Sequence, residues 1–472
     1  MTTECNQKSF PFHHHFQREV VGRFDGGAIT SDGGSLLLRE VEKRVGIIKQ
    51  FADCFTDHRD AGLIEHTVEE LVGQRLYGLA LGYEDLNDHD DLRRDPLLAT
   101  LVGKSDVTGE HRVRQRDAGK PLAGKSTLNR LELTRAQAGP AERYKKIVVE
   151  GEAVDRLLVD LFLQAHEQPP DRIVLDLDAT DDPLHGKQEG RFFHGFYGTY
   201  CYLPLYIFCG EFLLCARLRR SDIDASAGSV EELERIVGQI RQAWPEVRIV
   251  VRADSGFARE PIMAWCEANR VDYVLGLAKN SRLNRALGRQ LREASKQHER
   301  TGLPARVFRD FTYRTHKTWS RNRRVVGKAE HLTGGPNPRF VVTSIPVDEI
   351  DARTLYEDEY CARGEMENRI KEQQLYLFAD RTSAATMRAN QLRLWFSSMA
   401  YVLLQALRRL GLQGTSMARA QCETIRLKLL KIGAQVRVTV RKIWVSLASG
   451  SPYAAMFEQV YNNLRAASPL RC

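Results

Sequence analysis

Three acidic residues stand in settings suited to phosphoryl chemistry. Asp178 closes the run Ile173-Val-Leu-Asp-Leu-Asp178, Asp254 closes Ile249-Val-Val-Arg-Ala-Asp254, and Glu367 lies in the charged stretch 360–372. Carboxylates remote in sequence can meet at one end of a sheet and clamp two divalent ions. Such ions, about 3.5–4 Å apart, stabilise the attacking and leaving oxygens of an in-line displacement. Side chains alternate along a strand, so Asp176 and Asp178 share a face and either is a candidate ligand. Open sheets place their sites at the carboxyl ends of strands, which favours Asp178. Asp181 and Asp182 fall in the following turn and read equally well as turn residues. Asp254 is followed by Ser255-Gly256, where the backbone can turn sharply. One strand-terminal Asp is as readily an Asx turn or helix cap as a ligand; two, each after an apolar strand, weigh toward a site. Around Glu367, residues Tyr360, Arg363, Lys371 and Gln374 recur at offsets −7, −4, +4 and +7. That spacing keeps them on one broad helical face. Alone, the face is a solvated Arg-Glu-Lys ladder. Beside two aspartates, it becomes a metal-binding Glu flanked by cations for a DNA strand.

The elements that must position these groups are legible from pattern. Residues 173–178 form a strand, and 192–218 form two more around the turn Cys209-Gly210-Glu211. A helix over 229–244, a strand over 248–252, a helix over 261–269 and a strand over 272–277 follow. Three strands, then helix, strand, helix, strand, predict a mixed sheet with helices against it. This is the α/β order of a ribonuclease-H-like catalytic core, expected at 166–280 and 351–380. A basic, mainly β insertion is expected at 281–350, with a helix over 282–300 and short strands near 306–308, 323–326 and 339–342. Residues 1–25 read as an irregular arm in which His13-His14-His15 is a polar run. Residues 26–165 read as a helical region and 381–472 as a basic helical one.

At 472 residues, 43% hydrophobic and 28% charged, the chain is an ordinary globular protein of several domains. Its net charge of +8 conceals strong asymmetry. Residues 281–330 carry fourteen Lys/Arg against four Asp/Glu, and 381–472 carry fourteen against two. The rest of the chain is therefore acidic. Localised basic stretches suit a polyanionic partner. Nine cysteines without a Cys-x-x-Cys pair fit a reducing compartment. Residues 1–7 show no apolar leader core, and the apolar stretch 394–407 is too short to span a membrane. A cytoplasmic location without membrane association is expected. Gly119-Lys-Pro-Leu-Ala-Gly124-Lys125-Ser126 fits a phosphate-loop pattern to the letter. The polar run 111–118 before it cannot be the buried strand such a loop requires. No nucleotide cofactor is expected; Ser126 reads as a helix cap, and Lys125 as a DNA-phosphate contact.

With these motifs in place, the chain resembles the DDE transposases of bacterial insertion sequences. More narrowly, it resembles the group of insertion sequence 1380, related to the insertion-sequence-4 assemblage. The matching stretches are 178–186 (Asp-Ala-Thr-Asp-Asp-Pro-Leu-His-Gly), 194–198 (His-Gly-Phe-Tyr-Gly), 253–257 (Ala-Asp-Ser-Gly-Phe), the Glu367 helix, and 75–89 upstream. The assemblage's helix signature places Tyr, Arg, Glu and Lys where this chain has Tyr360, Arg363, Glu367 and Gln374, with Lys371 one turn earlier. The resemblance implies that Asp178, Asp254 and Glu367 hold two Mg²⁺ ions, with Mn²⁺ as a substitute. It implies hydrolysis at the element ends and attack of the freed 3′-OH on target DNA. The expected partner is double-stranded DNA, both element ends and target, bound by a dimer or higher multimer. Tyr360, Arg363 and Lys371 are expected at the DNA, as are Arg321 and Arg323 beside Trp319, an aromatic able to stack an unpaired base. Arg112, Arg114, Arg116, Lys120 and Lys125 are phosphate candidates in the helical region that would bind the terminal inverted repeats. The alternatives are a nuclease of the same fold without strand transfer, or an inactive DNA-binding relative.

Overall fold

The computed structural model describes residues 9–466. The start of the chain, read above as lacking a leader core, lies outside them, as do the last six residues. The described residues divide into two compact units, one of 9–150 with 399–466 and the other of 151–398.

The second unit is built on a nine-stranded mixed sheet. Its strands are β1 (Arg172–Ala179), β2 (Leu205–Cys209), β3 (Phe212–Arg217), β4 (Arg248–Ala253), β5 (Asp272–Leu277), β6 (Ala305–Tyr313), β7 (Arg323–Leu332) and β8 (Arg339–Thr343). Their spatial order is β3-β2-β1-β4-β5-β8-β7-β6, and the short strand Gly335–Pro336 pairs with β7. β1, β4 and β5 run parallel, whereas β2 lies antiparallel to both β1 and β3. The stretch read as an insertion thus lengthens the same sheet: β8 pairs with β5, and β7 and β6 continue outward. The helix expected over 282–300 is two helices, Ser281–Ala286 and Gly288–Thr301.

Alternation along the strands assigns the two faces different chemistry. Ile173, Leu175 and Leu177 of β1, Ile249, Val251 and Ala253 of β4, and Tyr273 and Leu275 of β5 join one apolar core. Helices α1 (Gly151–Gln164), α2 (Ser229–Ala243) and α3 (Glu260–Ala268) complete it with Phe162, Ile236 and Met263. The opposite face has a smaller core of Val250, Val274, Val326 and Val341, covered by Leu355 and Tyr356. On that face β1 reads Val174, Asp176, Asp178, and β4 reads Val250, Arg252, Asp254. It turns from apolar to ionic toward the carboxyl ends of the strands.

Asp176 and Arg252 are register partners. Their side chains, 5% and 10% exposed, form a two-pronged pair at 2.6 and 2.8 Å. Arg252 also donates to the carbonyl of Glu359, 2.5 Å away. It therefore ties two strands to the helical run ahead of Glu367.

In the first unit, Thr67 and Glu70 form a reciprocal cap on the helix Val68–Ala80, which is buried from Leu71 onward. Residues expected to form an irregular arm make a hairpin, Ser9–His15 against Arg18–Arg23. Among the basic helices expected near the C-terminus lies a second hairpin, Ala434–Val438 with Ile443–Leu447. Ala28–Thr30 pairs with its first strand. Among the described residues, no helix is long and apolar enough to cross a membrane.

Removing one member of a buried ion pair strands the other, at a cost of about 3–5 kcal/mol. Arg252→Ala is therefore expected to lower unfolding free energy by about that amount in urea titration. A loss below about 1 kcal/mol would show that the pair does not hold the sheet together.

Candidate active site

The last register pair between β1 and β4 is Leu177 with Ala253. One step further, Asp178 and Asp254 stand side by side on the face opposite the large core, on strands about 4.8 Å apart. Both are half-buried. Each commits one oxygen locally: Asp178 Oδ1 accepts the Ala179 N–H at 3.0 Å, and Asp254 Oδ1 accepts the Gly256 N–H at 2.8 Å. The second bond is the Asx turn anticipated from Ser255-Gly256. Asp176, indistinguishable from Asp178 by pattern, is 4% exposed and taken up by Arg252. Geometry separates the two.

Glu367 belongs to α4 (Gly364–Leu377), and Tyr360 and Arg363 precede that helix. They lie in a π-helical turn, Leu355–Tyr360, and a 3-10 turn, Cys361–Arg363. The expected single α-helix over all these residues is thus irregular just ahead of the acid, a feature common at functional sites. A wider turn lets Tyr360 reach over β5. A Cβ at Gly276 would come within 2.4 Å of the Tyr360 hydroxyl and 2.9 Å of the Ser255 nitrogen, so only glycine fits there. Arg363 lies among the carboxylates, 2.6 Å from Glu367 Oε1 and 3.8 Å from Asp178 Oδ2. Burial works against its charge, but Asp178 first and Glu367 next leave it more firmly protonated than usual. Burial above all pushes the Asp178 carboxyl up to about 7; Arg363 opposes the rise, and Asp254 and Glu367 add to it.

Three carboxylates are the hard oxygen donors that Mg²⁺ prefers. An Asp pushed up to about 7 beside two other acids is also a group short of positive charge. The donor chemistry fits a divalent ion. The side chains are not gathered into a cage, however: among the described residues, no three His, Cys, Asp or Glu stand close enough to hold a metal. Glu367 Oε1 instead meets Arg363.

Other residues singled out by sequence fall in different places. Lys371 is exposed on α4, and Gln374 donates to the Asp181 carbonyl at 3.1 Å. Tyr197, seen in sequence only as part of a matching stretch, approaches the Ala179 carbonyl at 3.4 Å. Burial, then Asp181 and Asp178, push its phenol up to about 12. Trp319 and Arg323 are corrections. Trp319 is 7% exposed in the large core, edge-on to Tyr313 at 5.7 Å, so it offers no face to a base. Arg323 is 4% exposed and locked to Glu260 and Glu267 at 2.6 and 2.7 Å, which leaves it no charge for a phosphate. Arg321 is exposed but pairs with Glu267 at 3.1 Å. Lys125 faces Asp90 and Asn87, and Asp90 rather than Ser126 accepts the first N–H of the helix Lys125–Glu132. No strand precedes that helix over 111–124, so the phosphate-loop pattern lacks its base.

Arg112, Arg114, Arg116 and Lys120 converge with Arg59, Arg93 and Arg130 around a cleft of about 550 Å³ in the first unit. Glu65, Asp90 and Asp117 also line it, so cations prevail. Arg130 and Arg143 lie 4.6 and 4.8 Å from the Tyr144 ring centre at its rim. Only the first four were legible as candidates, because they are close in sequence.

The family described as transposase DDE domain group 1 matches the chain over residues 12–469. No curated protein matches it.

A carboxyl held protonated to about pH 7 binds its proton more tightly in the folded chain than in the unfolded one. Its contribution to stability is complete below about pH 4 and lost as pH rises through about 7. In chelator, Asp178→Asn should therefore gain stability relative to the parent chain between about pH 5 and pH 8. Urea titrations that stay parallel across this range would rule out the raised carboxyl.

Proposed function

The chain belongs to the transposase DDE domain group 1 family, within the insertion-sequence-4-related DDE transposases, and we propose that it cuts DNA at the ends of its element and joins the freed 3′-OH to a target. Asp178, Asp254 and Glu367 are the proposed catalytic carboxylates. The observation that carries this reading is the single register step that seats Asp254 beside Asp178, with Arg363 in reach of both Asp178 and Glu367. The strand order β3-β2-β1-β4-β5 with β2 reversed supports a ribonuclease-H-like core.

Divalent ions held by these carboxylates would supply the charge that stabilises the attacking and leaving oxygens. The protein's own groups do the rest. Asp178 must give up its proton to bind a cation, which raises its demand for countercharge as the site fills. Glu367 must leave Arg363, and the freed guanidinium then has the forked geometry to grip a phosphate of the scissile strand. Lys371, exposed on the same helix, adds a second cation in place of the family's usual lysine, whose position Gln374 occupies. Tyr360, seated over Gly276, holds the approach to Asp254. The cationic cleft around Arg112 and Arg114 is the proposed seat for the terminal repeats, through backbone phosphates. A dimer or higher multimer would bring two ends together.

The test combines purified protein, a duplex ending in the element's inverted repeat, a target plasmid and Mg²⁺. Cleavage and joined product are expected; cleavage without joining would leave a nuclease and end the strand-transfer reading. Asp254→Ala should lower cleavage by at least about a thousandfold, an electrostatic loss of about 4 kcal/mol, while end binding persists. Unchanged cleavage would remove Asp254 from the site.

A further inference from the structure

The hairpin Ala434–Val438/Ile443–Leu447 belongs to no part of the site described above. Its third strand, Ala28–Thr30, pairs only with Ala434, Gln435 and Val436. From Arg437 to Trp444 the chain continues as a bare two-stranded ribbon, with Val440 fully exposed at its tip. Arg437, Arg441, Lys442, Ile443 and Trp444 are all exposed. The charge is one-signed: from 424 to 457 there are six Lys/Arg and no Asp or Glu. Among the described residues, no carboxylate pairs with Arg437, Arg441 or Lys442.

Trp444 explains how the cations are held. Arg437, its register partner, lies 5.9 Å from the indole centre, and Lys442 lies 5.1 Å away. Cation–π attraction of this kind is worth about 0.5–1 kcal/mol at an exposed site. The indole thus holds two positive charges beside it without neutralising them. A two-stranded ribbon fits a major groove about 12 Å wide, and cations near its tip reach the flanking phosphates.

We propose that the Arg437–Trp444 ribbon is a second duplex-DNA contact, entering the groove and setting Arg437, Arg441 and Lys442 against backbone phosphates. The proposal rests on DNA being this chain's substrate, as the family implies. Two variants of the full chain test it: Arg437→Ala/Arg441→Ala/Lys442→Ala, and the charge-conserving Arg437→Lys/Arg441→Lys/Lys442→Arg. Binding to a duplex of about 30 base pairs is followed by fluorescence anisotropy across a salt series, with a single strand of the same sequence in parallel. Each phosphate contact contributes about 0.9 to the slope of log affinity against log salt, so the alanine variant should show a slope shallower by about 2–3. Its affinity for duplex should fall about tenfold or more near 0.1 M salt, and the charge-conserving variant should keep both slope and affinity. An unchanged slope in the alanine variant overturns the proposal, as does equal weakening by both variants. Loss confined to the single strand overturns it in favour of a stacking surface. A parent chain that binds no duplex at any salt concentration would instead sink the DNA reading as a whole, a result that needs no variant.

Discussion

Everything at the site hangs on the parallel register of β1 and β4. It pairs Asp176 with Arg252 and, one step on, leaves Asp178 and Asp254 adjacent at the strand ends. A slip of one residue would exchange the faces of one strand entirely. Asp176 and Asp178 would then enter the core of Ile249, Val251 and Phe162, while Leu175 and Leu177 faced Arg252. The apolar residues on one face and the ion pair on the other therefore enforce the same alignment. An acidic pair that repels itself contributes nothing to that alignment; it is carried there by its neighbours.

Two arginines divide the electrostatic work. Arg252 is buried and doubly bonded to Asp176, and it reaches the Glu359 carbonyl beside the π-helical turn. Buried pairs of this kind are weak sources of net stability, and their better-attested use is to specify one arrangement. Arg363 is different, because it is shared between Asp178 and Glu367 and fully satisfied by neither. A cation that balances an acidic site in this way can be displaced by a stronger one. The irregular turns between Glu359 and Gly364 supply the geometry, letting Tyr360 reach over Gly276 while Arg363 reaches Asp178 and Glu367.

The strands and acids of the site were legible because their signals are local. Apolar runs ending in Asp178 and Asp254 mark strands, and the helix around Glu367 shows its spacing. What escaped was set by partners remote in sequence. Asp176 and Asp178 have the same period, and only the register with β4 gives one of them an arginine. The strands over 305–343 looked like an insertion because basic residues interrupt them. Their apolar members, Val325, Val326, Val341 and Val342, nevertheless feed both cores of the main sheet. The hairpin at 434–447 was overlooked although Gln435-Val-Arg-Val-Thr-Val440 alternates plainly. Its cations continue the charge of the basic helices before it, and that charge masks the period.

Charge counts mislead for the same reason. The stretch 281–330 is strongly basic, yet part of its charge is met within the fold. Arg306 pairs with Glu330 and Glu357, Arg323 with Glu260 and Glu267, Arg324 with Asp310 and Lys328 with Glu330. Several of these acids lie outside the stretch, so a window on the sequence counts the cations and misses their partners. Residues 437–444 present the opposite case. No acid lies within them, and the cations of their ribbon meet an indole instead of a carboxylate. A basic run projects its charge only where the fold supplies no anion to receive it. By that criterion, the modest hairpin has a stronger claim on a polyanion than the paired strand residues Arg306, Arg323, Arg324 and Lys328.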